Sequence, residues 1–314
     1  VTPAAGQGGS IVYVARFNVW IAGPDGSARR QLTTDGTEAN GYHDPTQSDD
    51  GSIFALRGSR TLIRLDRNGQ ASAPPVSLNA LENGAEGLVV SPDGTRLAYA
   101  TTGFGTEIDP RFGTPAGAFL YGGTDVATAD GQSIAGAAAP LLLFPEWLGD
   151  AQLIGSDGID LYATAGGSGA PQRWLSLTEG CLIDLDCPPD EGPAANVSLP
   201  SISRDGTVLA YSYRPYFGPA GRRLATLAAP PPAPPATACL IPGQEQYQDP
   251  GSFAADASSF VFDDTTFDPT QLLTTPGKGI YVMAVNLRAA DCGAASARLV
   301  IEGGLQPEWG PAAP

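Results

Sequence analysis

One histidine, four cysteines and several carboxylate clusters are the residues of this chain whose types could carry chemistry. His43, in NGYHDP, is the only histidine, so any mechanism that needs a cluster of imidazoles is excluded. It reads as a loop side chain bonded to its neighbours. No GxSxG elbow occurs, which argues against Ser/His/Asp hydrolysis of the α/β-hydrolase kind, and the SxDxGxTW box of sialidases is missing. Paired carboxylates can do acid–base work without histidine. The clusters that could supply them are Asp184, Asp186, Asp190 and Glu191 in one loop and Asp263, Asp264 and Asp268 in another. Neither has a catalytic spacing or the alternation of an EF-hand loop. Both are also donor sets for Ca²⁺, which several carboxylate and carbonyl oxygens on a bent loop would satisfy, the first above all; beside this stands the plainer reading of solvated acids for each. No other cofactor is expected.

Cys181, Cys187, Cys239 and Cys292 show none of the paired spacing of a zinc site. Two disulfides, and hence an oxidising compartment, are the expectation. Asn196-Val197-Ser198 matches a glycosylation acceptor. The formal net charge of −16 opposes the phosphate-neutralising field that nucleic-acid binding needs. No apolar run is long enough to span a bilayer as a helix, and VTPAAGQGGS at the start has neither the basic nor the apolar region of a signal peptide. A secreted, periplasmic or cell-surface protein is expected, its signal peptide absent from this chain.

The elements that would position these groups come from an internal repeat. With 40 Gly and 29 Pro among 314 residues, and 16% charged residues, the composition points to an all-β chain that turns often. GLVVSPDGTRLAYAT from Gly87 and LPSISRDGTVLAYSY from Leu199 each place a polar Asp-Gly turn between two apolar strands, a hairpin signature. Weaker copies surround Asp50, Asp150 and Asp256. Asp50, Asp93, Asp150, Asp205 and Asp256 are separated by 43, 57, 55 and 51 residues, room for four short strands and their loops in each unit. The chain opens on SIVYVA, NVWIAGPDG and ARRQLT, a second, third and outer strand without an inner one. GLQPEWGP, from Gly304 to Pro311, repeats the PEW of Pro145, Glu146 and Trp147 and would be the missing strand. Its pairing with the first hairpin closes a six-bladed β-propeller of four-stranded antiparallel blades over residues 10–311, preceded by a flexible segment at 1–9.

These units resemble the repeats of the TolB-type propellers, whose pattern runs from SPDG, here Ser91 to Gly94, to a strand ending Arg-x-Leu-Thr, here RRQLT from Arg29 to Thr33. The resemblance covers the propeller domain only and implies a scaffold, not an activity. The lone His43 also excludes the multi-histidine metal site of the propeller lyases.

In four-stranded blades the second-to-third turns share one face with the links between blades. The long insertions from Thr101, Tyr213 and Asp263, and the links from Ala39, Thr178 and Gly243, therefore gather on one loop-rich face. They carry Tyr42, Phe104, Phe112, Tyr213, Tyr216, Phe217, Tyr247 and Phe267, which read either as a partner-binding surface or as plugs pinning each loop to its blade. Cys181 and Cys187 lie in one link, and Cys239 and Cys292 near third-to-outer turns of adjacent blades, so Cys181–Cys187 with Cys239–Cys292 is the expected pairing of the three possible. AAPPPAPPA from Ala228 reads as a stiff third-to-outer connection. The leading functional reading is a non-enzymatic scaffold that binds a protein or peptide in the envelope or on the cell surface, through the loop-rich face or the central channel. A structural subunit of a surface assembly, with self-assembly, and a carboxylate-dependent polysaccharide hydrolase or lyase are the alternatives.

Overall fold

A computed structural model describes residues 8–109, 114–134, 139–140, 142–165, 170–177, 196–214, 221–242, 251–264, 266–268, 273–275 and 277–314. The described residues build six four-stranded antiparallel sheets, the six blades of a propeller. Blade 1 is made of Leu305–Gly310, Ser10–Ala15, Asn18–Ala22 and Arg30–Gln31, from the inside outwards, so the two ends of the chain share one sheet. The inner strands of blades 2 to 6 are Tyr42–Gln47, Gly84–Val90, Leu143–Leu148, Asn196–Ile202 and Ser252–Phe253. Asn196 of the glycosylation match thus opens an inner strand. One single-turn 3₁₀ helix, Ala294–Ser296, is the only helix among the described residues.

The Asp-Gly turns form for a local reason. In three blades a serine two residues before the aspartate donates its hydroxyl to the carboxylate, and the backbone N–H two residues after it donates too: Ser48 and Ser52 to Asp50, Ser91 and Thr95 to Asp93, Ser203 and Thr207 to Asp205. The glycine that follows takes the left-handed conformation, at Gly51, Gly94 and Gly206, which a Cβ would strain. Asp256 keeps the bonds from Ser258, and Ala257 occupies the strained position with φ 55°.

Blades adhere through buried apolar faces and a repeated backbone staple. The carbonyl of a second-to-third turn accepts the N–H at the start of the next inner strand: Phe17 from Tyr42, Ser59 from Ala85 and Ile159 from Val197. Cys239 and Cys292 are bonded, with Cα atoms 5.3 Å apart, and tie blade 5 to blade 6. Cys181 and Cys187 lie outside the described residues. The proline-rich stretch is the third-to-outer connection of blade 5, as expected, and the Ala233 carbonyl accepts the Trp174 indole N–H of blade 4 at 2.7 Å.

Two insertions expected as loops contain strand. In blade 3 the second and third strands continue as a long ribbon, Arg96–Asp109 against Thr114–Thr128. In blade 6 the insertion holds a small hairpin, Thr266–Asp268 against Leu273–Thr275. The alternation of Thr, Gly, Phe and Ala in TTGFGT and GAFLYGG lets each segment satisfy the other's backbone, which a free loop could not do.

The closing strand is clamped from both neighbouring blades. Gln47 of blade 2 donates its amide to the carbonyls of Ser10 and Glu308 and accepts the Ser10 hydroxyl. It approaches Gly310 so closely that a Cβ there would lie 2.1 Å from its side chain. Ser252 of blade 6 accepts the Trp309 N–H, and Arg67 donates to Ser10 and to the Ala312 carbonyl. Trp309 itself is buried between blades. Deleting Leu305–Pro311 is therefore expected to abolish the cooperative unfolding of the whole ring, and Trp309→Ala to cost about 3–5 kcal/mol; a truncated chain that melts like the full one in a calorimeter would refute this closure.

Candidate functional site

All six inner strands bend at one point, and the bend shapes the channel. Asp44, Gly87, Phe144, Leu199, Gly251 and Gln306, one per blade, adopt positive φ between 47° and 68°. At five of them the pairing with the second strand slips, between His43 and Thr46, Glu86 and Val89, Leu143 and Glu146, Ser198 and Ser201, and around Gln306. These are β-bulges that turn the start of each strand towards the axis. Pro45, Pro145, Pro200 and Pro307 follow four of the bends, where a residue without an N–H leaves no donor unpaired.

The backbone donors freed by the bends are taken up from blade to blade. Gln306 N–H donates to Asp263 Oδ2 of blade 6 at 2.7 Å, Asp44 N–H to Gln306 Oε1 of blade 1 at 3.0 Å, and Gly87 N–H to Asp44 Oδ2 of blade 2 at 2.7 Å. The Gln306 amide also donates to Asp44 Oδ1 at 2.8 Å. His43 joins this chain through Nδ1, 2.9 Å from Asp44 Oδ2, while Nε2 donates to the Gly58 carbonyl at 2.7 Å. Burial disfavours the imidazolium, but the hydrogen bond and charge of Asp44, with the Gly58 carbonyl and Glu86, outweigh it and hold the His43 pKa above its ordinary value. The Glu86 carboxyl is raised by burial and by the charge of Asp44, against the Thr102 hydroxyl and His43.

Inside the bends lies a cavity of about 480 Å³ lined from all six blades, within the roughly 300–1,000 Å³ typical of ligand pockets. It occupies the half of the channel where the inner strands begin, the loop-rich face. Its wall is divided. His43, Asp44, Glu86 and Gln306 bring polar groups from blades 1 to 3, with Pro45, Leu88, Val89 and Pro307 between them, and Phe144, Pro145 and Leu199 make an apolar stretch on blades 4 and 5, beside Glu146 and Ser198. Asp44, Glu86, Glu146 and Glu308 supply four carboxyls, and no Lys or Arg among the described residues lines it.

At the other end Arg204 crosses the axis. It leaves the turn of blade 5 and reaches the opposite blade 2, donating to the Gln47 carbonyl and pairing with Asp49 at 3.1 Å. Its guanidinium also lies 3.8 Å from Glu308 Oε1. A small space of about 20 Å³ remains around it, so the channel is a blind pocket. Glu146 of blade 4 and Glu308 of blade 1, the glutamates of the two PEW copies, face one another across this floor. Burial raises both carboxyls; the charge of Glu308 adds to the effect on Glu146, and Arg204 opposes it on Glu308.

The expected site residues fall out differently. Tyr42 and Tyr213 are buried in the blades. The Tyr42 hydroxyl donates to Asp35, and Arg57 and Arg223 cover the two rings. Each lies where a strand meets a blade face, and its ring finds apolar neighbours. Phe112, Tyr216, Phe217 and Tyr247 lie outside the described residues, as do the side chains of Phe104 and Phe267 and the calcium candidates Asp184, Asp186, Asp190 and Glu191. Asp263 is buried and serves the bend of blade 1, and Asp264 accepts the Gly279 N–H. Among the described residues no group of three or more His, Cys, Asp or Glu could hold a metal ion, and no helix is long and apolar enough to cross a membrane. The channel carboxylates escape a search for clusters along the chain because one comes from each of several blades; the repeated PEW was the signal that could have found two of them.

No family model matches this sequence, and no curated protein does. Solved structures do match in shape. A structure assigned as TolB from Agrobacterium tumefaciens aligns over 96% of this chain and 92% of its own, with a TM-score of 0.52 and 15% identity. The fold is that of the TolB-type propellers. An oligogalacturonate lyase in complex with manganese aligns over 85% of this chain and 68% of its own, with a TM-score of 0.51 and 14% identity. Another oligogalacturonate lyase, from Vibrio parahaemolyticus, covers 92% and 78%, with a TM-score of 0.52 and 15% identity. At such identities the propeller ring is what these proteins share, and the fold by itself assigns no role to the side chains in the channel.

A raised carboxyl binds its proton more tightly in the folded state than in the unfolded chain. Its contribution to stability is complete below the ordinary carboxylate range and is lost as pH rises through the folded value, about 8 for Glu146. Between pH 5 and pH 8.5, Glu146→Gln is expected to gain stability relative to the parent by at least about 1.4 kcal/mol, one pKa unit's worth, in urea unfolding at the two pH values.

Proposed function

We propose that this propeller is a non-enzymatic, extracytoplasmic binding scaffold that receives a protein or peptide partner on its loop-rich face, with the blind channel as the recognition pocket. The observation that carries the reading is the cavity of about 480 Å³, lined by residues of every blade and closed behind by Arg204. A rigid ring that converges polar and apolar groups on one concave site is what selective binding requires. The bonded pair Cys239 and Cys292 supports an oxidising compartment.

A second reading, a carboxylate-dependent hydrolase or lyase, is favoured by Glu146 and Glu308, two opposed carboxyls with raised pKa values. Two features weigh against the chemistry of the lyase neighbours. An oligogalacturonate carries a carboxylate on each sugar, and the described residues of this pocket offer it four carboxyls and no Lys or Arg. Arg204 also engages Glu308 and narrows the space around both acids.

Ser198→Trp would fill the pocket from blade 5 without touching the closing strand. The variant is expected to keep its melting temperature within a few degrees and to lose the partner that the parent captures from envelope extract. Retention of that partner by a folded Ser198→Trp protein would move the site elsewhere. Turnover of oligogalacturonate by the parent, abolished in Glu146→Gln, would establish the enzymatic reading instead.

A further inference from the structure

The divided wall of the pocket specifies more than a place. Asp44 is saturated by the Gly87 N–H, the Gln306 amide and His43, so it holds the ring together and has little left for a ligand. Glu86 and Glu146 differ. Glu86 Oε1 receives only the Thr102 hydroxyl at 3.5 Å, and Glu146 Oε1 only the neighbouring Trp147 N–H at 2.9 Å. The Oε2 atom of each has no hydrogen-bond partner among the described residues, and both side chains line the cavity. Beside them stands the apolar wall of Phe144, Pro145 and Leu199. On the same face, the second-to-third turns of blades 1 and 4 carry Phe17 and Ile159, 47% and 48% exposed, two of the three exposed large apolar residues among the described ones.

We infer that the pocket takes the side chain of a lysine or arginine from an extended segment of a partner protein, its aliphatic stem against Phe144 and Leu199 and its charged head on Glu86 and Glu146. The inference rests on the binding reading of the channel and names its ligand. Such a side chain is apolar along its stem and cationic at its tip, which is the division of this wall. The cation displaces the proton that burial holds on Glu146, charge-assisted hydrogen bonds to the two carboxylates then replace the water that the head loses, and the aromatic face of Phe144 adds a favourable surface for a cation. Phe17 and Ile159 then give the flanking residues of the segment something to rest on, outside a polar rim. The formal net charge of −16 steers a basic segment towards the protein and repels an acidic one. A free polyamine shares the charge but has no flanking residues for the two exposed side chains, so a peptide segment fits more of the surface.

The test uses the full chain and four sets of blocked pentapeptides, N-acetylated and C-amidated, with mixed neutral flanks and arginine, lysine, norleucine or glutamate at the centre, with spermidine as a fifth probe. In calorimetric titration the arginine and lysine sets are expected to bind at least tenfold tighter than the norleucine set, more weakly as salt rises, and the glutamate set not at all. Glu86→Gln, isosteric and at a carboxyl held only by the Thr102 hydroxyl, is expected to weaken binding about tenfold or more, the loss of a hydrogen bond to a charged group; Glu146→Gln should do the same. Equal binding of the norleucine and arginine sets would overturn the cationic assignment while leaving the pocket as a binding site. Spermidine binding as tightly as the basic peptides would overturn the peptide assignment. Failure of every set, while Ser198→Trp still abolishes capture of the natural partner, would overturn this inference and not the binding reading.

Discussion

Six blades surround a channel only when the two ends of the chain lie in one sheet, and everything in the site depends on that pairing. Ser10 opposite Gly310 and Ile11 opposite Trp309 set the register of the first blade. The bonds of Gln47 to Ser10 and Glu308 then bring the second blade against both ends at once. An open array would expose two sheet edges and leave Trp309 in water. Closed, it fixes Glu308 opposite the blade that supplies Glu146 and Gln306 beside Asp44 of the next blade. The geometry of the pocket is thus a consequence of closure and not of any one loop.

The bends in the inner strands are the second constraint. A non-glycine residue at positive φ costs of order 1 kcal/mol or more, and four of the six bends fall on such residues, Asp44, Phe144, Leu199 and Gln306. What offsets this at Asp44 and Gln306 is visible: each side chain satisfies the backbone donor of a bend or a neighbouring strand while its own donor is satisfied by the blade before. The chain of bonds from Asp263 through Gln306 and Asp44 to Gly87 couples blades 6, 1, 2 and 3. At Phe144 and Leu199 the bend instead aims an apolar side chain at the cavity. The same backbone device therefore makes both walls, and residue type at one position per blade decides which wall it is.

Charge at the floor follows from the same symmetry. Equivalent positions two residues after the bend bring Glu146 and Glu308 to opposite sides of a narrow channel, where two ionised carboxylates repel and neither is well hydrated. Arg204 answers part of that cost from a fifth blade and blocks the exit as it does so. The pair opposite, Gln47 and Asp49, holds the arginine in place, leaving the wider half of the channel acidic.

Much of this was legible in the chain itself. The Asp-Gly turns at Asp50, Asp93 and Asp205 are local structures, made by a serine two residues before and a backbone N–H two after, so spacing revealed them and the blade count with them. The closing strand was readable because PEW recurs where a blade lacked its inner strand, and the Cys239–Cys292 bond because both residues sit by turns of adjacent blades. Only the tertiary structure decided the site. His43, Asp44, Glu86, Glu146, Arg204 and Glu308 are scattered over 266 positions, and nothing local distinguishes them from surface charges. Tyr42 and Tyr213, read as candidates for a binding face, go inward because burial depends on which blade packs next. A repeat writes its architecture into every copy, whereas a channel is written one residue per blade and exists only once the ring is shut.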